Sequence, residues 1–290
     1  MASAIDVIVS DYAAYVPAAP LRPFVAGWTG YRDVGLLPGL HRGLPSPFLT
    51  VIFTLDDPLI MAAHPDPAQR PGSFETLVGG LHTSPALIRH EGRWSGIQLR
   101  LTPLGARVLL DVPAGELAGI DVHGCDVLGA AAGQIQDRLR ETDSWPQRFA
   151  LLEQILLDRL RAADGRPGIS REVSYGWQHL LRTGGTASVS ELVAETGWSD
   201  RHLRTMFRLE TGLGPKEAGR VIRFDRVRHR LQQRAVAGQA LALADLAAAA
   251  GYFDQAHLNR DFRRMAGCPP TTWVADEFQN FQPVTAEVTD

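Results

Sequence analysis

Two stretches in the C-terminal third of the chain repeat one order of apolar, glycine and acidic positions. The first is Leu192, Gly197, Asp200, Leu203, Phe207, Gly212 and Pro215. The second is Leu246, Gly251, Asp254, Leu258, Phe262, Gly267 and Pro270. Only the gap between the Asp and the next Leu differs, by one residue. Self-similarity of this kind constrains architecture before any single residue is read. Each copy predicts a short helix, a glycine turn and a second helix, the outline of a helix-turn-helix. In the first copy Ser188 and Glu191 make a capping-box pattern ahead of a helix over 189–195. Gly197 falls where the backbone must turn with positive φ. Ser199 or Asp200 caps the next helix, 200–210, whose inward positions are Leu203, Met206 and Phe207. In the second copy Asp254 caps the corresponding helix, with Leu258 and Phe262 inward. A helix over 170–182 precedes the repeat, with Val173, Trp177, Leu180 and Leu181 as its stripe. Between the copies, 215–234 reads as one helix with Pro in its first turn and a stripe of Val221, Phe224, Val227 and Leu231. At ~1.5 Å per residue it spans about 30 Å, close to the ~34 Å of one turn of B-DNA.

The first 125 residues carry a different period. Residues 48–55 (FLTVIFTL) form a β-branched apolar run. Residues 95–101 alternate Ile97, Leu99 and Leu101 with polar Gln98 and Arg100, which predicts a half-buried strand. Residues 76–88 are a broken apolar stretch around Gly79-Gly80, and PDPAQRPG (65–72) is a turn-rich connection. Helical spacing then returns at 127–139. It returns again at 145–161, through Phe149, Leu152, Ile155, Leu156 and Leu160. The fold class expected is α+β. A mostly-β domain (1–125) is followed by helices (126–163) and a linker (164–169). An all-α domain of two helix-turn-helix units then occupies 170–274, and an acidic, flexible tail 275–290.

Charge changes the picture only when taken by region. The net charge of −3 argues against a nucleic-acid partner for the chain as a whole. Residues 171–273, however, hold 15 Lys/Arg against 10 Asp/Glu, whereas residues 1–170 hold 14 Arg against 18 acids. The positive charge is confined to the segment with the repeat, the arrangement of a polyanion-binding module on a more acidic one. Arg201, Arg204, Thr205 and Arg208 stand at i, i+3, i+4 and i+7, so they share one outward helix face. In the second copy Gln255, Ala256, Asn259, Arg260 and Arg263 face outward. Arginine pairs bidentately with guanine, and Gln or Asn with adenine.

These residues carry a resemblance. LVAETGWSDRHLRTMFRLETGLGP, the linking helix with Arg223 and Leu231, and LADLAAAAGYFDQAHLNRDFRRMAGCPPTTW together resemble the DNA-binding domain of AraC/XylS-type bacterial transcription regulators. Ala218 and Val227 depart from the family pattern in the linking helix, as packing changes. The resemblance implies base contacts from Arg201, Arg204, Thr205, Gln255, Ala256, Asn259 and Arg260. It implies phosphate contacts from Arg208, Arg263 and Arg264, with double-stranded DNA and RNA polymerase as partners. The order of elements is similar to regulators of this family with a cupin-like sensing and dimerisation domain. It implies a cytoplasmic homodimer and an activator. The phrase VGGLHTSPALIRHEGRWSGIQLRLTPLGARVLL is similar to an N-terminal domain of a little-characterised subset of them.

The N-terminal domain offers fewer chemical signals. His41, His64, His82, His90 and His123 lack the spacing of a metal cupin, so no metal and no cofactor is expected. Cys125 and Cys268 sit in no ligand spacing and read as reduced thiols, Cys125 as a small buried hydrophobe. Trp28, Tyr31, Phe48, Phe53 and Trp94 are the candidates for an effector pocket. There is no phosphate loop, no nucleophile elbow, no membrane-length apolar run and no signal-peptide pattern. The leading reading is a DNA-binding transcription regulator modulated by an unknown small-molecule effector. A regulator whose N-terminal domain only binds protein is the alternative. An enzyme with an accessory DNA-binding domain is a further class, disfavoured by the absence of a reactive-cysteine motif.

Overall fold

The computed structural model describes residues 9–165 and 168–280, with side chains described through Glu277. Arg166 and Pro167 of the expected linker, and residues 281–290 of the expected tail, lie outside the described residues.

Among the described residues ten strands form two antiparallel sheets. The first contains β1 (Val9–Tyr15), β2 (Val25–Val34), β4 (Leu49–Thr54), β7 (Thr76–Gly79), β9 (Arg93–Leu101) and β10 (Asp121–His123), in the order β1-β2-β9-β4-β7-β10. The second contains β3 (Gly39–Gly43), β5 (Leu59–Ala63), β6 (Gly72–Phe74) and β8 (Ala86–His90), in the order β3-β8-β5-β6. The mostly-β N-terminal part and the helical C-terminal part are those the periodicities predict.

The alternation in β9 has the predicted period but not the simplest consequence. Ile97, Leu99 and Leu101 face one way with Trp28, Leu49, Val51 and Phe53, and all are buried. Helices cover this face. After a short turn α1 (Pro103–Gly105) and α2 (Gly124–Leu128) come α3 (Ala131–Arg140) and α4 (Trp145–Ala162). Leu139 of α3 and Phe149 and Leu152 of α4 complete this core. Gln136 of α3 is buried and ties the helix to the sheet, donating to the carbonyls of Thr54 (3.0 Å) and Glu75 (2.8 Å). The polar positions of β9, Gln98 and Arg100, therefore turn toward the second sheet and not toward open solvent. Two further expectations are corrected. The amphipathic stretch 127–139 is broken at Gly129 between α2 and α3. Cys125, on the short helix α2, is exposed; Cys268 is the buried thiol.

The C-terminal part begins with α5 (Arg171–Arg182), capped by Ser170. The first unit of the repeat is α6 (Val189–Thr196) and α7 (Asp200–Thr211). Its capping box forms as predicted, with Glu191 N donating to Ser188 Oγ at 3.1 Å and Ser188 N to Glu191 Oε2 at 2.8 Å. Ser199, not Asp200, caps α7. The long helix α8 (Pro215–Val236) follows, then the second unit, α9 (Leu243–Ala249) and α10 (Gln255–Ala266). Gly197 (φ +70°) and Gly251 (φ +76°) occupy the left-handed region at the two turns, where a side chain would be strained. The last helix, α11 (Pro270–Asn280), corrects the expected tail: residues 275–280 are helical.

Residues 114–118 pack against the end of α7, and two ion pairs also join the two parts. Arg107, just after α1, donates through Nη2 to both oxygens of Glu210 on α7 at 2.8 Å. Arg42 on β3 donates to Asp276 on α11 at 2.9 Å. The side chain of Glu210 is 8% exposed and that of Arg107 27%. Removing Arg107 strands a buried carboxylate, which costs about 3–5 kcal/mol in fully buried pairs. The partial exposure of Arg107 lowers the expected loss for Arg107→Ala to about 2–3 kcal/mol. Denaturant titration of the full chain measures it. A loss below about 0.5 kcal/mol would show the pair to be no more than a surface contact.

Candidate nucleic-acid interface and cavity

In α7 the apolar stripe of Leu203 and Phe207 is fully buried, so helical geometry sends Arg201, Arg204, Thr205 and Arg208 outward, and all four are exposed. They are not equally free. Arg204 donates Nε to Asp200 Oδ1 at 2.6 Å, which leaves both terminal nitrogens open. Arg208 donates Nη2 to Glu217 Oε2 at 2.6 Å, and the Thr205 hydroxyl donates to the Arg201 carbonyl at 2.9 Å. In α10, Asp254 caps the helix by accepting from His257 N at 2.6 Å. Leu258 and Phe262 are buried, and Gln255, Ala256, Arg260, Arg263 and Arg264 are exposed. Asn259 is half-buried.

Helix α8 sets the relation of these faces. Its 22 residues span about 33 Å at ~1.5 Å per residue. Arg220 of α8 holds the buried Asp261 of α10 through Nη2 at 2.5 Å, and Phe224 packs on Phe262 with ring centroids 5.0 Å apart. At this same, N-terminal end of α8 a groove of about 890 Å³ is lined by Arg204, Arg208, Lys216, Arg220 and Arg264, so cations of both recognition-like helices meet there. Lys216 is a member that the sequence reading did not single out.

A second feature lies between the sheets. A cavity of about 690 Å³ takes Thr29, Thr50, Ile52, Leu77, Gln98 and Arg100 from the first sheet, and His41, Met61 and Ile88 from the second. Its remaining wall comes from the helical domain, through Arg228, His229 and Gln232 of α8 and Trp273 and Glu277 of α11. Three guanidiniums line it, those of Arg42, Arg100 and Arg228. Arg42 has Asp276, and Arg228 has Asp225 at 2.6 Å. Arg100 lies over the Phe48 ring at 5.7 Å, and burial lowers its pKa. Burial, with help from His90, Arg228 and Arg42, lowers His41 to about 4, so its imidazole is neutral at neutral pH.

Residues 192–276 match the family model of a helix-turn-helix domain. The C-terminal domain is a helix-turn-helix domain of the AraC type. Residues 13–123 match a second family model, a domain of unknown function. No curated protein matches the chain. Among solved structures, ToxT from Vibrio cholerae O395 is similar at 9% identity and a TM-score of 0.49, covering 94% of this chain and 99% of that one. Unsaturated fatty acid-bound ToxT from Vibrio cholerae strain SCE256 is similar at 8% identity and a TM-score of 0.48, covering 98% and 99%. The AraC-like transcriptional activator CuxR is similar at 16% identity and a TM-score of 0.29, covering 80% and 89%.

The AraC-type domain thus displays every expected DNA-facing residue at its surface except half-buried Asn259. The aromatic set expected for an effector is divided. Tyr31 and Trp94 line the cavity, whereas Trp28 and Phe53 lie on the other face of the same sheet, one residue out of phase with Thr29 and Ile52. Phe48 sits behind Arg100. The sequence reading missed Arg42, Gln98 and Arg100, since alternation assigns polar strand positions to solvent, and Arg228 and Glu277, whose helices reach the cavity only where the two parts meet. Among the described residues no group of three or more His, Cys, Asp or Glu could hold a metal ion. No helix among them is long and apolar enough to cross a membrane.

Glu277 gives the cavity a pH signature. Burial raises its carboxyl from 4.5 to about 6, with a smaller push from Asp276 and an opposing pull from Arg228 and Arg42. A carboxyl raised in the folded state contributes stability below its unfolded value, and that contribution is lost as pH rises through the folded value. Glu277→Gln is therefore expected to raise the melting temperature above pH 6, with the gain disappearing below pH 4.5. Melting curves across that range check it, and a gain that is constant with pH would refute the assignment.

Proposed function

We propose that the chain is a sequence-specific DNA-binding transcription regulator whose two recognition-like helices enter consecutive major grooves of one duplex. The observation that supports this most directly is the pair of exposed polar helix faces, α7 and α10, held in a fixed relation by α8 through its short connection to α7 and the contacts of Arg220 and Phe224 with α10. The outward residues differ between the units, arginine-rich in α7 and Gln, Ala, Asn, Arg in α10, so the site read by one chain is bipartite and non-palindromic. Arg201, Arg204, Thr205, Gln255, Ala256, Asn259 and Arg260 carry the base contacts in this reading. Arg208, Arg263 and Arg264 contact phosphates.

The cavity supports a small-molecule effector. A space of about 690 Å³ is within the ~300–1,000 Å³ of ligand sites. Arg100, with Arg42 and Arg228 also lining the space, favours an acidic group, while Ile52, Met61, Leu77 and Ile88 favour an apolar body.

Selection of binding sites from random DNA, followed by titration at several salt concentrations, tests the reading. Arg204→Ala should cost about 1–3 kcal/mol on the selected site and much less on random DNA. Arg263→Ala should weaken both alike and reduce the salt slope by about one. Equal losses on both DNAs for Arg204→Ala would remove its base-reading role. Failure to enrich any sequence would remove the function itself.

A further inference from the structure

The cavity has a second polar pole that the acid-binding reading does not use. Strand register places Asp121 opposite Gly79, Gly79 opposite Thr50, and Thr50 opposite Arg100. The four residues form one row across the first sheet, and all four line the cavity. Three strand spacings of about 4.8 Å put Asp121 and Arg100 roughly 14 Å apart along that row. Only a glycine and a threonine stand between them. A methyl group at Gly79 would come within 2.8 Å of Asp121 Oδ1, so this glycine keeps the carboxylate oxygen open to the cavity.

Asp121 is held firmly from behind. Its Oδ2 is 2.7 Å from Nδ1 of the buried His64. The Gln69 amide binds both backbone groups of Asp121, accepting from its N at 3.1 Å and donating to its carbonyl. Among the described residues Oδ1 has no hydrogen-bond partner. His82, also on the cavity wall, donates Nδ1 to the Ser84 carbonyl at 2.6 Å. Burial lowers its pKa, against the pull of the Ser84 carbonyl and Asp121, and with Nδ1 donating, the neutral ring presents Nε2 as an acceptor. The pole therefore offers acceptors, whereas the pole at Arg100 offers donors. An acceptor that faces the cavity without a protein donor is matched by a hydrogen-bond donor of the ligand.

We propose that the cavity selects a bifunctional ligand. Such a ligand carries an acidic group for Arg100 at one end, a hydroxyl or ammonium donor for Asp121 at the other, and an apolar spacer between them. This rests on the reading of the cavity as an effector site and narrows its ligand class. A simple carboxylic acid with an apolar tail satisfies one pole and leaves Asp121 Oδ1 unpaired.

Calorimetric titration of the full chain tests this with straight-chain carboxylic acids of graded length in four forms: unsubstituted, ω-methoxy, ω-hydroxy and ω-amino. At the fitting length, the ω-hydroxy or ω-amino acid should bind about tenfold more tightly than the ω-methoxy acid, which keeps the oxygen but cannot donate. Asp121→Asn, with its melting temperature checked, should remove most of that preference. The comparison of hydroxy with methoxy needs no variant, so it holds even where Asp121→Asn does not fold. Equal affinities for all four forms would overturn the donor pole while leaving the acid-binding cavity in place. Binding by none of them at any length would overturn both.

Discussion

Helix α8 has to satisfy several surfaces at once, and the rest of the molecule is arranged around how it does so. One stripe, Ala218, Val221, Ile222, Phe224, Val227 and Leu231, is buried in the core of the helix-turn-helix domain. Burying this stripe fixes the rotation of the helix about its axis. With that rotation set, Arg220 meets Asp261, and Arg223 reaches the carbonyl of Gly185 at 2.9 Å. The same rotation turns Arg228, His229 and Gln232 toward the sheets. The helix that separates the two recognition-like elements is thereby also part of the cavity wall.

The first sheet obeys a comparable constraint. A strand has two faces, and in β9 and β4 both are enclosed. The face with Phe53 and Ile97 is covered by α3 and α4, and the face with Ile52 and Gln98 by the second sheet. Helices on the outer face supply enough apolar contact that the inner face is free to carry Thr50, Gln98 and Arg100. Small residues along the inner rows, Gly79 among them, leave volume where side chains would otherwise meet.

Much of this was legible in the sequence, and the reasons are local. The repeat of Leu, Gly, Asp, Leu, Phe, Gly and Pro reports backbone requirements within each unit: a buried stripe, a left-handed turn, a cap. Those requirements hold in any context, so the helix bounds and the outward arginines follow from spacing alone. The strands of β4 and β9 were legible for the same reason. The cavity was not, because its composition depends on contacts between distant segments. Tyr31 and Trp94 were separated from Trp28 and Phe53 by strand phase, which no residue type reveals. Arg100 reads as a solvent-facing arginine until the second sheet is placed over it. The residues of α8 and α11 in the wall require knowledge of how the two domains meet, as does the helical state of 275–280, where Asp276 pairs with Arg42.

A wall shared between domains also has a thermodynamic meaning. A molecule that fills this space contacts Arg228 and its neighbours only while the helical domain is docked against the sheets, so its affinity includes the free energy of that docking. Occupancy and docking are then linked functions. Whatever bound to the far side of α8 favours or opposes the docked arrangement must change affinity for the cavity by the same factor in return. Reciprocity of that kind needs no moving part beyond the contact itself, because the helix belongs to both sites.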